Sequence, residues 1–223
     1  MPSKALEKYL LNYKGIADPH LHPLKVIQNM YDLKKVLYPG CWIHLTPSLV
    51  FPFVVYVDFF AKMESMLNDP ELIQYIQKHS KTKVKPIIKF HKADYRDGIN
   101  EEKASFDLLI SLSSGFVSQY CRKYLKKKGL LFVNNEHYDA TKAYVDKNFL
   151  PIGVFTFDGK LIQQNNAILE YFLTKKDQVI NSEMVLENSK KSPSKAKFKL
   201  KKTALASSSS LTIFIRSLKY FSP

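Results

Sequence analysis

A few polar or conformationally special residues stand at the ends of short apolar runs, and their order suggests chemistry. Gly40 closes the run from Lys34, and Asp58 ends Phe53–Asp58. Asp94 and Tyr95 come just after Val84–Phe90, and Ser111 and Leu112 end Phe106–Leu112. Asn134-Asn135-Glu136-His137 closes the run that begins at Leu130. If these runs are strands of an open α/β sheet, their carboxyl ends share the edge where ligands bind. An acid such as Asp58 can accept two hydrogen bonds from a ribose diol. Gly40 precedes it by 18 residues, near the ~20 expected between glycine turn and acid in a nucleoside-binding unit. Asp94 can accept from the exocyclic amine of adenine while Tyr95 stacks on the ring. The turn Tyr38-Pro39-Gly40 lets backbone N–H groups approach a carboxylate or phosphate. The expected binding surface is therefore Tyr38, Pro39, Gly40, Asp58, Asp94, Tyr95, Ser111 and Leu112.

Substrate-facing candidates lie beside that series. His44, with Trp42, follows the Gly40 turn. His137, with Asn134 and Asn135, forms the most polar strand end, and His137 has the chemistry of a base. The competing reading there is a hydrophilic loop in which Asp139 caps a helix from Ala140. His20 and His22 stand two apart between prolines, but no third ligand is placed by spacing, so no metal is expected and Asp18 reads as a turn former. Cys41 and Cys121 are too far apart for a metal or disulfide pattern. No serine elbow, phosphate-loop lysine motif or zinc-protease helix pattern is present.

These residues need a scaffold of alternating strands and helices. Residues 1–33 read as two short helices (Leu6, Tyr9, Leu10, Tyr13; then Leu24, Ile27, Tyr31) around an Asp18-Pro19 turn. The runs named above supply five strands. Leu150–Phe157 supplies a sixth and Leu211–Arg216 a last one. The unbroken apolar character of Phe53–Val57 suits a strand covered on both faces. Helices are expected over 59–79, from Phe116 to Lys127 with Gly129 as its stop, over Ala140–Val145 and over Ile168–Leu173. The alternation implies a mainly parallel sheet with right-handed crossovers. The resulting domain layout is a helical segment 1–33, a Rossmann-like domain 34–187, a flexible Lys/Ser-rich insertion 188–210, and a C-terminal strand segment 211–223 completing the sheet.

At this point the chain resembles the class I S-adenosylmethionine-dependent methyltransferases. Their glycine turn after strand one, acid after strand two, acid after strand three and strand-four segment are matched by "VLYPG", "VVYVD", "FHKADY" and "FDLLISL", over about residues 33–157. "LTIFIRSL" matches their seventh strand, inserted antiparallel beside the sixth. The resemblance implies a three-layer Rossmann-like fold with a seven-stranded, mostly parallel sheet. It also implies S-adenosylmethionine as cofactor and methyl transfer as activity: the Gly40 turn would take the methionine moiety, Asp58 the ribose, Asp94 and Tyr95 the adenine, with Ser111 and Leu112 beneath. The sequence departs from the family at the first loop, which carries one glycine. Only residues 41–52 separate Gly40 from the next strand, and they include Pro47 and Pro52, so the first helix must be very short or replaced by a loop. The Asn/Asp-Pro-Pro-aromatic box of amino-methylating DNA enzymes is absent after strand four, which argues against methylation of the adenine-N6 type. No Pro-Cys nucleophile of the cytosine-C5 type is present either.

Composition frames these readings. With 223 residues and 45% hydrophobic content, the chain can build one ordinary core. Two thiols and the absence of a signal-like apolar start point to a cytoplasmic protein without a membrane partner. The formal charge is +14. Between Glu187 and Lys202 seven lysines face one acid, so much of the excess sits in one tract. A nucleic-acid partner is compatible with this balance. The second functional reading is accordingly a catalytically silent Rossmann-like module that binds RNA or a protein.

Overall fold

The computed structural model describes residues 1–156, 158–190 and 211–216. Most of the proposed 188–210 insertion, and 217–223 of the C-terminal segment, lie outside the described residues. Eight strands form one sheet: β1 (Lys35–Pro39), β2 (Phe53–Asp58), β3 (Ile87–Lys92), β4 (Phe106–Ser111), β5 (Leu125–Val133), β6 (Phe149–Phe155), β7 (Leu161–Ile162) and β8 (Leu211–Arg216). Their order is β3-β2-β1-β4-β5-β8-β6-β7. The first five are mutually parallel. β8 runs antiparallel to both β5 and β6. The fold is thus Rossmann-like, with the last strand inserted antiparallel as expected. The seven-strand expectation is corrected to eight, because Leu161 and Ile162 turn back beside Phe155 and Val154 as a two-residue edge strand.

The central strands are buried on both faces, which explains their continuous apolar runs. Val54, Val55, Tyr56 and Val57 are each inaccessible, as are Leu108, Leu109 and Ile110. Side chains alternate between two cores. Val36, Tyr38, Val54 and Tyr56 face one, and Leu37, Val55, Val57 and Leu109 face the other. The first core is covered by α1 (Lys4–Tyr13) and α2 (Leu21–Tyr31), through Tyr9, Leu24 and Ile27, and by α3 (Lys62–Leu67) and α4 (Pro70–His79). The second is covered by α5 (Val117–Cys121), α6 (Asp139–Val145), α7 (Asn165–Leu169) and α8 (Ser182–Ser189). The N-terminal 33 residues therefore pack into the common core.

Between β1 and β2 a single 3₁₀ turn, Thr46–Leu49, replaces the usual helix, as the short prolyl stretch requires. Two other expectations are corrected. The helix expected from Phe116 to Lys127 ends at Cys121, followed by a 3₁₀ turn at Arg122–Tyr124. Tertiary contacts override its helical spacing: Tyr124 Oη accepts from the Ile99 N–H and donates to its carbonyl, and Leu125 pairs with Phe106 to open β5. The third strand starts at Ile87 rather than Val84, where the Ile87 N–H reaches the Pro52 carbonyl. It lies at the sheet edge, which explains its mixed Lys, His and aromatic content.

Candidate active site at the carboxyl edge of the sheet

β1 has β2 on one side and β4 on the other, and the chain leaves it in both directions. The gap beyond the carboxyl ends of β1 and β4 is therefore the topological switch point, where open α/β sheets bind ligands. Gly40 stands there with φ +64°, a left-handed conformation that glycine adopts without cost. Its N–H donates to the Val57 carbonyl at 2.7 Å, and its carbonyl accepts from Ser114 Oγ at 2.8 Å. A side chain at position 40 would put its Cβ 2.5 Å from that of Ser114. The glycine is thus required by the close approach of two loops across the switch point. Tyr95 closes the same corner, donating its hydroxyl to the Ser114 carbonyl.

Asp58 ends β2 and is 5% exposed. One carboxylate oxygen accepts from the Trp42 N–H at 2.7 Å and the other from the Phe60 N–H at 3.0 Å. Two backbone donors leave about two of its four acceptor positions for other partners. Trp42 (φ +47°) therefore holds the first loop against the acid. Phe59 and Phe60, both exposed, lie ring against ring at a tilt of 32° immediately after it. Asp94 sits farther out, bound by the Arg96 guanidinium, which holds its carboxyl below the usual range. Leu112 belongs to the core, and its carbonyl accepts from Ser114 Oγ.

Ser111 is buried. Its hydroxyl donates to Asp139 Oδ2 at 2.6 Å, and Ser118 donates to the same carboxylate through both Oγ and N–H. Burial pushes the Asp139 carboxyl up to about 6 against these bonds. The expectation that Asp139 caps α6 is corrected. Tyr138 stands at the N-cap without a side-chain capping bond, and the Asn135 side-chain oxygen instead accepts from the Thr141 N–H and hydroxyl of the first turn, while Asp139 buttresses β4 and α5. Asn134 braces the strand-four loop through the Ser113 N–H and Oγ. Of His44, Asn134, Asn135 and His137, only His137 is exposed.

His44 is buried and belongs to a network that sequence spacing did not reveal. Its Nε2 lies 2.7 Å from Asp18 Oδ2, its Nδ1 lies 2.9 Å from the hydroxyl of Tyr38, and the Tyr13 ring stacks on it. Thr46 Oγ1 also donates to Asp18 Oδ2, while the His20 N–H and Nδ1 lie on Oδ1. Burial by itself would raise the Asp18 carboxyl, but the bonds from His20 and His44 outweigh it and keep the group ionised. Burial lowers the His44 pKa. The neutral ring then donates from Nε2 to Asp18 and accepts at Nδ1 from Tyr38. His44, not His22, thus joins Asp18 and His20. Their ligand atoms lie within 4.8 Å of one another, and four donors already fill the carboxylate. His44 and Tyr38 therefore act from inside the fold, fixing the first loop rather than lining the crevice with their polar atoms.

No protein-family model matches the chain, and no curated protein does. Solved structures do. An O-methyltransferase from Bacillus cereus in complex with SAH is 7% identical, with a TM-score of 0.53 over 97% of this chain and 92% of the other. The O-methyltransferase TomG from Streptomyces achromogenes, involved in tomaymycin synthesis and solved in complex with SAM, is 6% identical. Its TM-score is 0.51, over 97% and 91% of the two chains. At such identities the likeness is one of fold, and it agrees with the strand order described above: this chain has the Rossmann-like methyltransferase fold.

Proposed function

We propose that the chain binds S-adenosylmethionine across the β1–β4 switch point and acts as a methyltransferase. The observation that carries this reading is Asp58, an acid at the tip of β2 held beside the Gly40 turn in a sheet of methyltransferase strand order. The donor set fits a nucleoside: a carboxylate with acceptor capacity left and exposed aromatic rings next to it. In this reading Asp58 holds the ribose diol, Asp94 and Tyr95 flank the adenine, and the Tyr38-Pro39-Gly40 turn meets the methionine end. Ser111 and Leu112 contribute by shaping the floor from within. The cofactor supplies an electrophilic methyl group on sulfur. The protein's part is alignment of an acceptor with that methyl, by positioning and electrostatics. Asn134 and Asn135 set the shape of the acceptor side, and His137 is the imidazole available there. The two complexes with SAM and SAH support this choice of cofactor through shared fold.

Titration calorimetry with S-adenosylmethionine and S-adenosylhomocysteine tests the proposal. Saturable binding is expected, and Asp58→Ala should weaken it by about 1.5–3 kcal/mol, the scale of hydrogen bonds to a charged group. Trp42 is the sole tryptophan of the chain and lies on the Asp58 loop, so its fluorescence should change on the same titration. No heat at millimolar ligand with the wild-type protein would defeat the reading.

A further inference from the structure

The edge of the sheet opposite the candidate site is strongly basic. Because β1 to β5 are parallel, their amino ends lie along one side of the molecule. Lys34 and Lys35 stand at the start of β1, Lys81, Lys83 and Lys85 precede β3, and Lys126, Lys127 and Lys128 open β5. A recess of about 650 Å³ opens on this side. Lys25, Lys34, Lys81 and Lys83 line it, and Asp32 is its single acid, paired with Lys34 at 2.6 Å. Lys126, Lys127 and Lys128 line a second, smaller recess of about 160 Å³, where Lys126 pairs with Asp107. Lys81 and Lys83 are exposed and Lys25 is half-buried, and none of the three has an acidic partner among the described residues.

We infer that this amino edge binds the phosphate backbone of a single-stranded nucleic acid. Three observations favour that occupant. From β3 to β5 the edge spans four strand spacings, about 19 Å, too long a track for one small anion. The cations named are all lysines, whose flexible ammonium groups can follow a phosphate backbone as point charges. The basic residues are also interleaved with uncharged polar ones, Gln28, Asn29 and Thr82, which can contact sugar and base without sequence selectivity. Since this face lies across the sheet from Asp58 and Gly40, the strand bound here would be held away from the candidate active site. The inference does not rest on the methyl-transfer reading.

Fluorescence anisotropy with a 5′-labelled 12-nucleotide uridine strand tests it, using the full chain at 50 and 200 mM KCl. Four phosphate contacts predict a log–log salt slope near −3, or roughly 50-fold weaker binding over that range. Replacing Lys25, Lys81 and Lys83 together by Gln should weaken binding at least tenfold at 50 mM and flatten the slope by about two. A charge-matched control with Lys160, Lys175 and Lys176 changed to Gln should bind as the wild type does. Equal loss in both variants, or no loss in the first, would place binding elsewhere, the basic tract near 190–202 included, and overturn the inference. So would displacement of the strand by polyglutamate as efficiently as by unlabelled uridine strand, which would indicate an acidic protein partner.

Discussion

Asp139 is the residue whose chemistry is most displaced by its surroundings. It is 2% exposed, and its partners are two serine hydroxyls and one backbone N–H rather than a cation. With the carboxyl pushed up to about 6, against a usual value near 3.9, the native state holds the proton more tightly than the unfolded chain. The sign follows: this stabilising contribution is complete below about pH 4 and is lost as the pH rises through 6. Asp139→Asn keeps an acceptor for Ser118 and offers Ser111 a donor, but it cannot ionise. Urea denaturation at pH 4.5 and 7.5 should show the wild type losing roughly 1–3 kcal/mol relative to the variant over that interval. Parallel pH profiles for the two proteins over that interval would show that folding does not raise the Asp139 carboxyl above its unfolded value. Ser111 was legible as a strand-end residue, but its direction was not. Its partner lies 28 residues downstream, and no local periodicity encodes such a pairing. The same holds for His44, whose ring is gripped by Tyr38 at short range and by Asp18 from 26 residues away.

Among the elements, the loop after β1 departs most from the expected pattern and is the one held most firmly by side chains. It holds a 3₁₀ turn and no α-helix, and the N-terminal segment braces it. Asp18 ties the turn before α2 to His44 and Thr46 in the first loop, while Tyr9 of α1 reaches Thr46 at 3.0 Å. Asp18→Ala would leave a buried neutral imidazole and a buried hydroxyl without their acceptor, at about 1–3 kcal/mol for each unsatisfied group, or roughly 3–5 kcal/mol together. For a domain of this size that corresponds to a fall in Tm of roughly 6–20 °C, readable by circular dichroism. A shift below about 2 °C would mean that the network is not what holds the loop. How far such elements could be read from sequence depended on their position in the sheet. β2 and β8 lie inside it, and their apolar runs mark Phe53–Asp58 and Leu211–Arg216 at both ends. β3 lies at the edge with Ile87 exposed, so polar residues enter it and its limits blur. The segment after Phe116 has helical spacing, yet the Tyr124 hydroxyl is bonded to Ile99 and the Leu125 backbone pairs with Phe106. Long-range partners there outweigh local propensity.

At the scale of the whole molecule, the sheet is closed by its last described strand. β6 ends at Phe155 and β8 begins at Leu211, yet β8 lies between β5 and β6 and pairs with both. Thr212, Ile213 and Phe214 are buried, and the Phe214 ring packs against Phe149 and Phe172. Without β8, two apolar strands would each present an unpaired edge of N–H and C=O groups, an arrangement prone to association. The second core would also lose an aromatic side chain of a kind whose truncation alone costs about 3–5 kcal/mol. A chain ending at residue 210 is therefore expected to lack a cooperative urea transition and to associate, although it retains every residue assigned to the cofactor. Phe214→Ala in the full chain should still unfold cooperatively, with its midpoint lowered and its m-value unchanged, because m follows the surface exposed on unfolding. A shortened chain that melted cooperatively with the full-length m-value would show that β1 to β6 form a self-sufficient sheet, and that β8 only decorates it.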